Sequence, residues 1–147
     1  MYKTILVPLD GSNRAEAILP HVEELAQRYQ ALVVFVRVME PMPYLIGPEG
    51  MPVVLPEAEL EQCRKHVRDY MDAIADDFRE RGINATSQIR QGPVVKSIIE
   101  AAAEQKADLI AIASHGRSGL SQFFYGSVAA GVLQRVERPL LVVRSRG

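Results

Sequence analysis

Short runs of branched and aliphatic residues alternate along this chain with longer stretches whose apolar residues recur at helical spacing, five runs to four stretches. The runs are residues 2–9, 31–39 (ALVVFVRVM), 83–90, 107–113 and 139–144. Several are too apolar to be half exposed, as expected of central strands covered on both faces. Between them, residues 13–30 carry Ala15, Ile18, Leu19, Val22, Leu25, Ala26 and Tyr29 on one stripe. Pro20 removes a backbone bond there, so a kink or a late helix start is expected. Residues 57–81 carry Leu60, Cys63, Val67, Tyr70, Met71, Ile74 and Phe78, with Gly82 where a helix stop is wanted. Gly92-Pro93 opens a third helix, with Val94, Val95, Ile98, Ile99 and Ala102 inward, and residues 126–137 form a fourth with Val128, Ala129, Val132, Leu133 and Val136 inward. Strict alternation implies right-handed crossovers and an α/β fold, a doubly wound parallel sheet of five strands with helices on both faces; the expected strand order is 3-2-1-4-5. The 147 residues make one domain, 1–147, with no internal repeat.

One segment breaks the rhythm. Residues 40–56 hold Pro41, Pro43, Pro48, Pro52 and Pro56 with two glycines, which argues against regular structure and for a lid or a partner surface. Charge is balanced, 17 Lys and Arg against 18 Asp and Glu, so no broad field favours nucleic acid or an anionic membrane. A lone cysteine excludes an internal disulfide, and the start Met1-Tyr2-Lys3-Thr4 leads into a strand rather than a signal, so the chain is expected to be cytoplasmic.

The fourth run ends in Ser114-His115-Gly116-Arg117-Ser118-Gly119, and Gly126-Ser127 follows. Glycines let backbone approach a ligand, while a helix beginning at Gly126-Ser127 offers free N–H groups and a dipole that favour negative charge. Arg117 and the hydroxyls of Ser118, Ser121 and Ser127 add donors, which together describe a phosphate cradle. In a doubly wound sheet ligands sit beyond the carboxyl ends of the strands where strand order reverses. Strands one and four are expected to flank that point, so Asp10 would face the Ser114 loop and could accept from ribose hydroxyls or stand near a phosphate-borne metal. The competing account is that the glycine-serine stretch is only a loop and Asp10-Gly11-Ser12 only a turn that caps a helix. Neither Gly-Lys-Ser/Thr nor GxGxxG is present.

The span Ala113-Ser114-His115-Gly116, nine residues, then Gly126-Ser127-Val128 resembles the nucleotide motif G-x2-G-x9-G-S/T of the universal stress protein family. The opening KTILVPLDGS and the ending RPLLVV resemble the two ends of that family, so the likeness covers essentially the whole chain. The resemblance implies an adenine-nucleotide-binding, Rossmann-like or flavodoxin-like domain that forms dimers and acts in stress survival, as a sensor or regulator. It places Pro8, Leu9 and Asp10 beside the adenosine, with Asp10 near the ribose, and Val38 backbone against the adenine. It places Gly116, Arg117, Gly126, Ser127 and Val128 around the phosphates, with Ile112, Ala113 and His115 beside them. The implied ligand is ATP, or AMP or ADP, with Mg carried by the phosphates. Where the motif has its first glycine this chain has Ala113, which ends an extended apolar run and is expected to continue the strand.

Other chemistries are weaker. Cys63 and His66 could share a metal only with a second pair that does not appear, so no metal site is expected. His115 is the best general acid or base, yet Ser114 and Ser118 lack a nucleophile-elbow context, and no dedicated base for ATP hydrolysis is visible, so at most slow turnover is expected. A phosphorelay receiver would need acids where Gly11, Gln91 and Gly92 stand. The final strand leaves one row of backbone groups unpaired, and the resemblance points to a homodimer through residues 140–143. The alternative function is a dimeric interaction module that binds no nucleotide.

Overall fold

A computed structural model describes residues 1–40, 44–46, 50–54, 56–115 and 126–145. In chain order the elements are β1 (Thr4–Pro8), a 3-10 turn (Ala15–Ile18), α1 (Leu19–Tyr29), β2 (Leu32–Met39), β3 (Tyr44–Ile46) and β4 (Pro52–Val54). They continue as α2 (Glu57–Glu80), β5 (Ala85–Gln91), α3 (Val94–Glu104), β6 (Leu109–His115), α4 (Ser127–Arg135) and β7 (Leu140–Ser145).

Five parallel strands form one sheet in the order β5-β2-β1-β6-β7, which is 3-2-1-4-5 when only its own strands are counted. The alternation of side chains splits the core in two. Ile5, Val7, Val33 and Phe35 pack with Met71, Ala75 and Phe78 under α1 and α2, where the Phe35 and Phe78 rings meet edge to face at 5.0 Å. Leu6, Val34, Val36 and Ile110 pack on the other face with Ile98, Ala102 and Val132 of α3 and α4. At the amino ends of the strands the Asp108 carboxylate accepts from the Lys3 N–H (3.0 and 2.9 Å) and the Thr4 N–H (3.2 Å), tying the start of β1 to the start of β6.

Pro20 acts as expected: the α-helix starts late, with Pro20 in its first turn and the 3-10 turn before it. The proline-rich segment differs from expectation. β3 and β4 pair antiparallel, Leu45 opposite Val53, with Pro52 opening β4 at a position where a strand tolerates it. Cys63 is exposed rather than on the buried stripe, because α2 buries Met71, Ala75 and Phe78 of its second half while most of its first half stands in solvent. Leu133, expected inward, is 54% exposed; α4 lies by the edge of the sheet and makes its core contact through Ala129 and Val132.

Candidate functional site

β1 and β6 are parallel neighbours in the middle of the sheet, so their carboxyl ends lie at the same rim. Pro8 ends β1 opposite Val36, and buried Leu9 donates its N–H to the Val36 carbonyl at 2.9 Å. Exposed Asp10 follows, and its carboxylate accepts from the Ser12 N–H (2.9 Å) and the Ser12 hydroxyl (2.6 Å). Ser12 Oγ in turn accepts from the Ala15 N–H at 3.2 Å and opens the 3-10 turn. The corner is therefore an Asx turn whose Ser12 hydroxyl also holds the first N–H of the 3-10 turn, which fixes where the Asp10 carboxylate stands.

Ile112 and Ala113 are buried in β6, paired with Val142 and Val143. Ala113 has no left-handed backbone: the non-glycine residues with positive φ among those described are Gln30 and Lys106. The alanine in place of a glycine thus continues the strand without strain. His115 ends β6 opposite Ser145, while Gly116 and Arg117 lie outside the described residues. Gly126 caps α4 at φ +78, a conformation that favours glycine, and exposed Ser127 and half-buried Val128 form the first turn. Because α4 connects β6 to the parallel strand β7, its amino end lies at the same rim. Val38, near the end of β2, packs against the cluster beneath α3 and α4.

The structure therefore brings Pro8, Leu9, Asp10, Val38, Ile112, Ala113, His115, Gly126, Ser127 and Val128 to the carboxyl rim of β1, β2 and β6. Of two polar residues there, sequence reasoning weighed Ser114 only as a nucleophile and passed over Arg37. Ser114 is 1% exposed and its hydroxyl has no hydrogen-bond partner. Arg37, half-buried in β2, has Nε and Nη1 enclosed and likewise unpaired. A lone cation inside the apolar run LVVFVRVM was the available signal for the second. Nearby Tyr70 has its phenol pushed well above the ordinary range, first by burial and then by the adjacent Glu16 carboxylate, although the two fall short of hydrogen-bond geometry.

The universal stress protein family model matches residues 1–144. The chain belongs to the universal stress protein family. A Thermus aquaticus universal stress protein is 31% identical over 144 residues, covering 98% of this chain and 100% of that one. The solved structure of MJ0577 from Methanocaldococcus jannaschii is 28% identical, covers 100% of this chain and 99% of its own, and superposes with a TM-score of 0.81. The structure of an Archaeoglobus fulgidus universal stress protein in complex with dAMP shares the fold at 19% identity and a TM-score of 0.66, covering 97% of this chain and 98% of that one. No helix among the described residues of this universal stress protein is long and apolar enough to cross a membrane.

Proposed function

We propose that this universal stress protein binds an adenine nucleotide at the carboxyl rim of β1, β2 and β6 and acts, as a dimer, as a sensor or regulator whose partner choice reads the bound nucleotide. The observation that carries this reading is the opening of α4: Gly126 holds a left-handed backbone directly before Ser127, on a helix end that shares its rim with the fixed Asp10 carboxylate. Such an end presents N–H groups and a favourable dipole to an anion. Asp10, with Pro8 and Leu9, takes the adenosine side and accepts from ribose hydroxyls, while the Val38 backbone meets the base. Ile112, Ala113, His115, Gly116, Arg117, Gly126, Ser127 and Val128 surround the phosphates, and Mg rides on those phosphates when ATP is bound. The related protein in complex with dAMP supports adenine as the base.

The test begins with purified protein. Any nucleotide released on denaturation is identified by mass spectrometry, and the emptied protein is titrated with ATP and Mg by calorimetry. Co-purified or micromolar-binding nucleotide is expected. Gly126→Val, which forces a β-branched residue into a left-handed backbone, is expected to abolish binding with an unchanged circular dichroism spectrum. Unchanged affinity would remove the assignment of the phosphate site, and no heat at two temperatures would leave the dimeric interaction module as the better account.

A further inference from the structure

Among the described residues, four buried side-chain polar atoms find no hydrogen-bond partner: Arg37 Nε and Nη1, the Tyr70 hydroxyl and Ser114 Oγ. Unpaired buried polar atoms are rare in a folded chain, and each asks for a cause such as a ligand absent from the structure. Ser114 lies in β6 between Ala113 and His115, residues already assigned to the phosphates. The other three atoms belong to two side chains close enough for the guanidinium charge to act on the phenol.

Their position is specific. Arg37 shares a strand face with Val33 and Phe35, so its side chain lies on the α1 and α2 side of the sheet, one step nearer the rim. A Cβ on Gly11 would come within 3.4 Å of Arg37 Nη1, which places the guanidinium directly beneath the Asp10-Gly11 corner. The carboxylates of Asp10 and Glu16 also bear on Tyr70 from the same corner. The Tyr70 phenol stays protonated at neutral pH and keeps its O–H to donate. Two enclosed guanidinium N–H groups without an acceptor are unfavourable until one arrives. Arg37 as a whole is only half-buried, so its flexible stem can carry the head toward the rim while the strand stays in place.

In dinucleotide-binding doubly wound folds an acid meets the ribose 2′-hydroxyl, or an arginine nearby accommodates a 2′-phosphate; here Arg37 would have to hold that phosphate against the repulsion of the Asp10 carboxylate. We propose that Arg37, backed by the Tyr70 hydroxyl, forms a subsite for a phosphate monoester on the ribose, so that this chain prefers adenine nucleotides phosphorylated at the 2′ or 3′ position over those carrying only a 5′-phosphate. The inference rests on the adenine-nucleotide reading and deepens it by naming the ligand class. The guanidinium is the group suited to this task, because its planar fork of donors matches phosphate oxygens.

The emptied full-length protein is titrated by calorimetry with AMP, adenosine 2′,5′-bisphosphate and adenosine 3′,5′-bisphosphate, in the wild type and in Arg37→Met and Arg37→Lys. One bisphosphate is expected to bind about tenfold more tightly than AMP, as a charge-assisted contact provides. The ratio of the two affinities is expected to collapse toward one in Arg37→Met and to fall partway in Arg37→Lys, which keeps the charge without the fork. Bisphosphates no tighter than AMP, or a preference that survives either substitution undiminished, would overturn the proposal. AMP or ATP binding without that preference removes the ribose-phosphate subsite alone, whereas no binding by any adenine nucleotide removes the nucleotide reading and the subsite together.

Discussion

The folded chain favours the protonated form of the Tyr70 phenol. Burial and the neighbouring Glu16 hold its folded value above that of an unfolded tyrosine, which ionises near pH 10. Below that pH both states keep the proton. Above it the unfolded chain releases its proton while the folded chain does not, so stability declines as pH rises from about 10 toward the higher folded value. Tyr70→Phe removes this dependence. The gap in urea-unfolding free energy between wild type and variant is expected to shift in favour of the variant from about pH 8 to about pH 11; a gap that does not move would show the phenol is not held protonated by the fold. Single residues were unevenly legible in the sequence. Asp10, Ala113 and Gly126 stand where the motif spacing put them, because backbone direction at a strand end or helix start is a local property. Arg37 and Tyr70 were not legible as a pair, since their meeting depends on α2 packing against β2, a contact between segments 33 residues apart in the chain. Cys63 was misplaced because an apolar stripe says which residues share a face and not whether that stretch of helix has a sheet beneath it.

Elements were read more securely than residues. All five strands and four helices were anticipated, with ends shifted by a few residues, because each follows from an apolar period bounded by Gly, Pro or Asp. The exception is the β3-β4 pair, where proline density masked two three-residue strands. The Asp108 contact is an element-scale device that sequence pattern does not announce. One carboxylate gathers the N–H groups of Lys3 and Thr4, which would otherwise have no strand partner at the lower end of β1. Hydrogen bonds to a charged group are worth about 1.5–3 kcal/mol, and these lie at a solvent-exposed to part-buried end. Asp108→Ala is accordingly expected to lower unfolding free energy by about 1–2 kcal/mol with the denaturant slope unchanged. Asp108→Asn, which keeps an acceptor oxygen, should lose less; a loss under a few tenths in the alanine variant would mean water replaces the carboxylate without cost.

At the scale of the molecule, the strand order was legible because alternation and crossover handedness leave few topologies. Assembly was legible only as an expectation. β7 is an end strand whose apolar residues 140–143 are all only half-buried, and beside it a shallow pocket is lined by Ala129, Leu133, Val142 and Arg144. A second copy covering this edge is the proposed arrangement. Leu133→Lys changes an exposed position, so the single chain should lose little stability, within about 0.5 kcal/mol. Sedimentation equilibrium is expected to give a dimer for the wild type and a dissociation constant raised by roughly tenfold or more for the variant. A wild type that sediments as a monomer at micromolar concentration would overturn the dimer.

The central place of β1 reaches beyond the finished structure. Its first partner, β2, begins 24 residues after β1 ends, but its other partner, β6, begins only at Leu109. In sequence, β1, β2 and β5 are complete while one side of β1 still waits for the last quarter of the chain. The β6-α4-β7 unit is the last part of the sheet to be synthesised, and the stretch read as the phosphate cradle lies within it. A bound nucleotide would bridge the early and late portions of the chain across the β1-β6 seam, so its arrival would mark the completion of folding as well as the state of the cell.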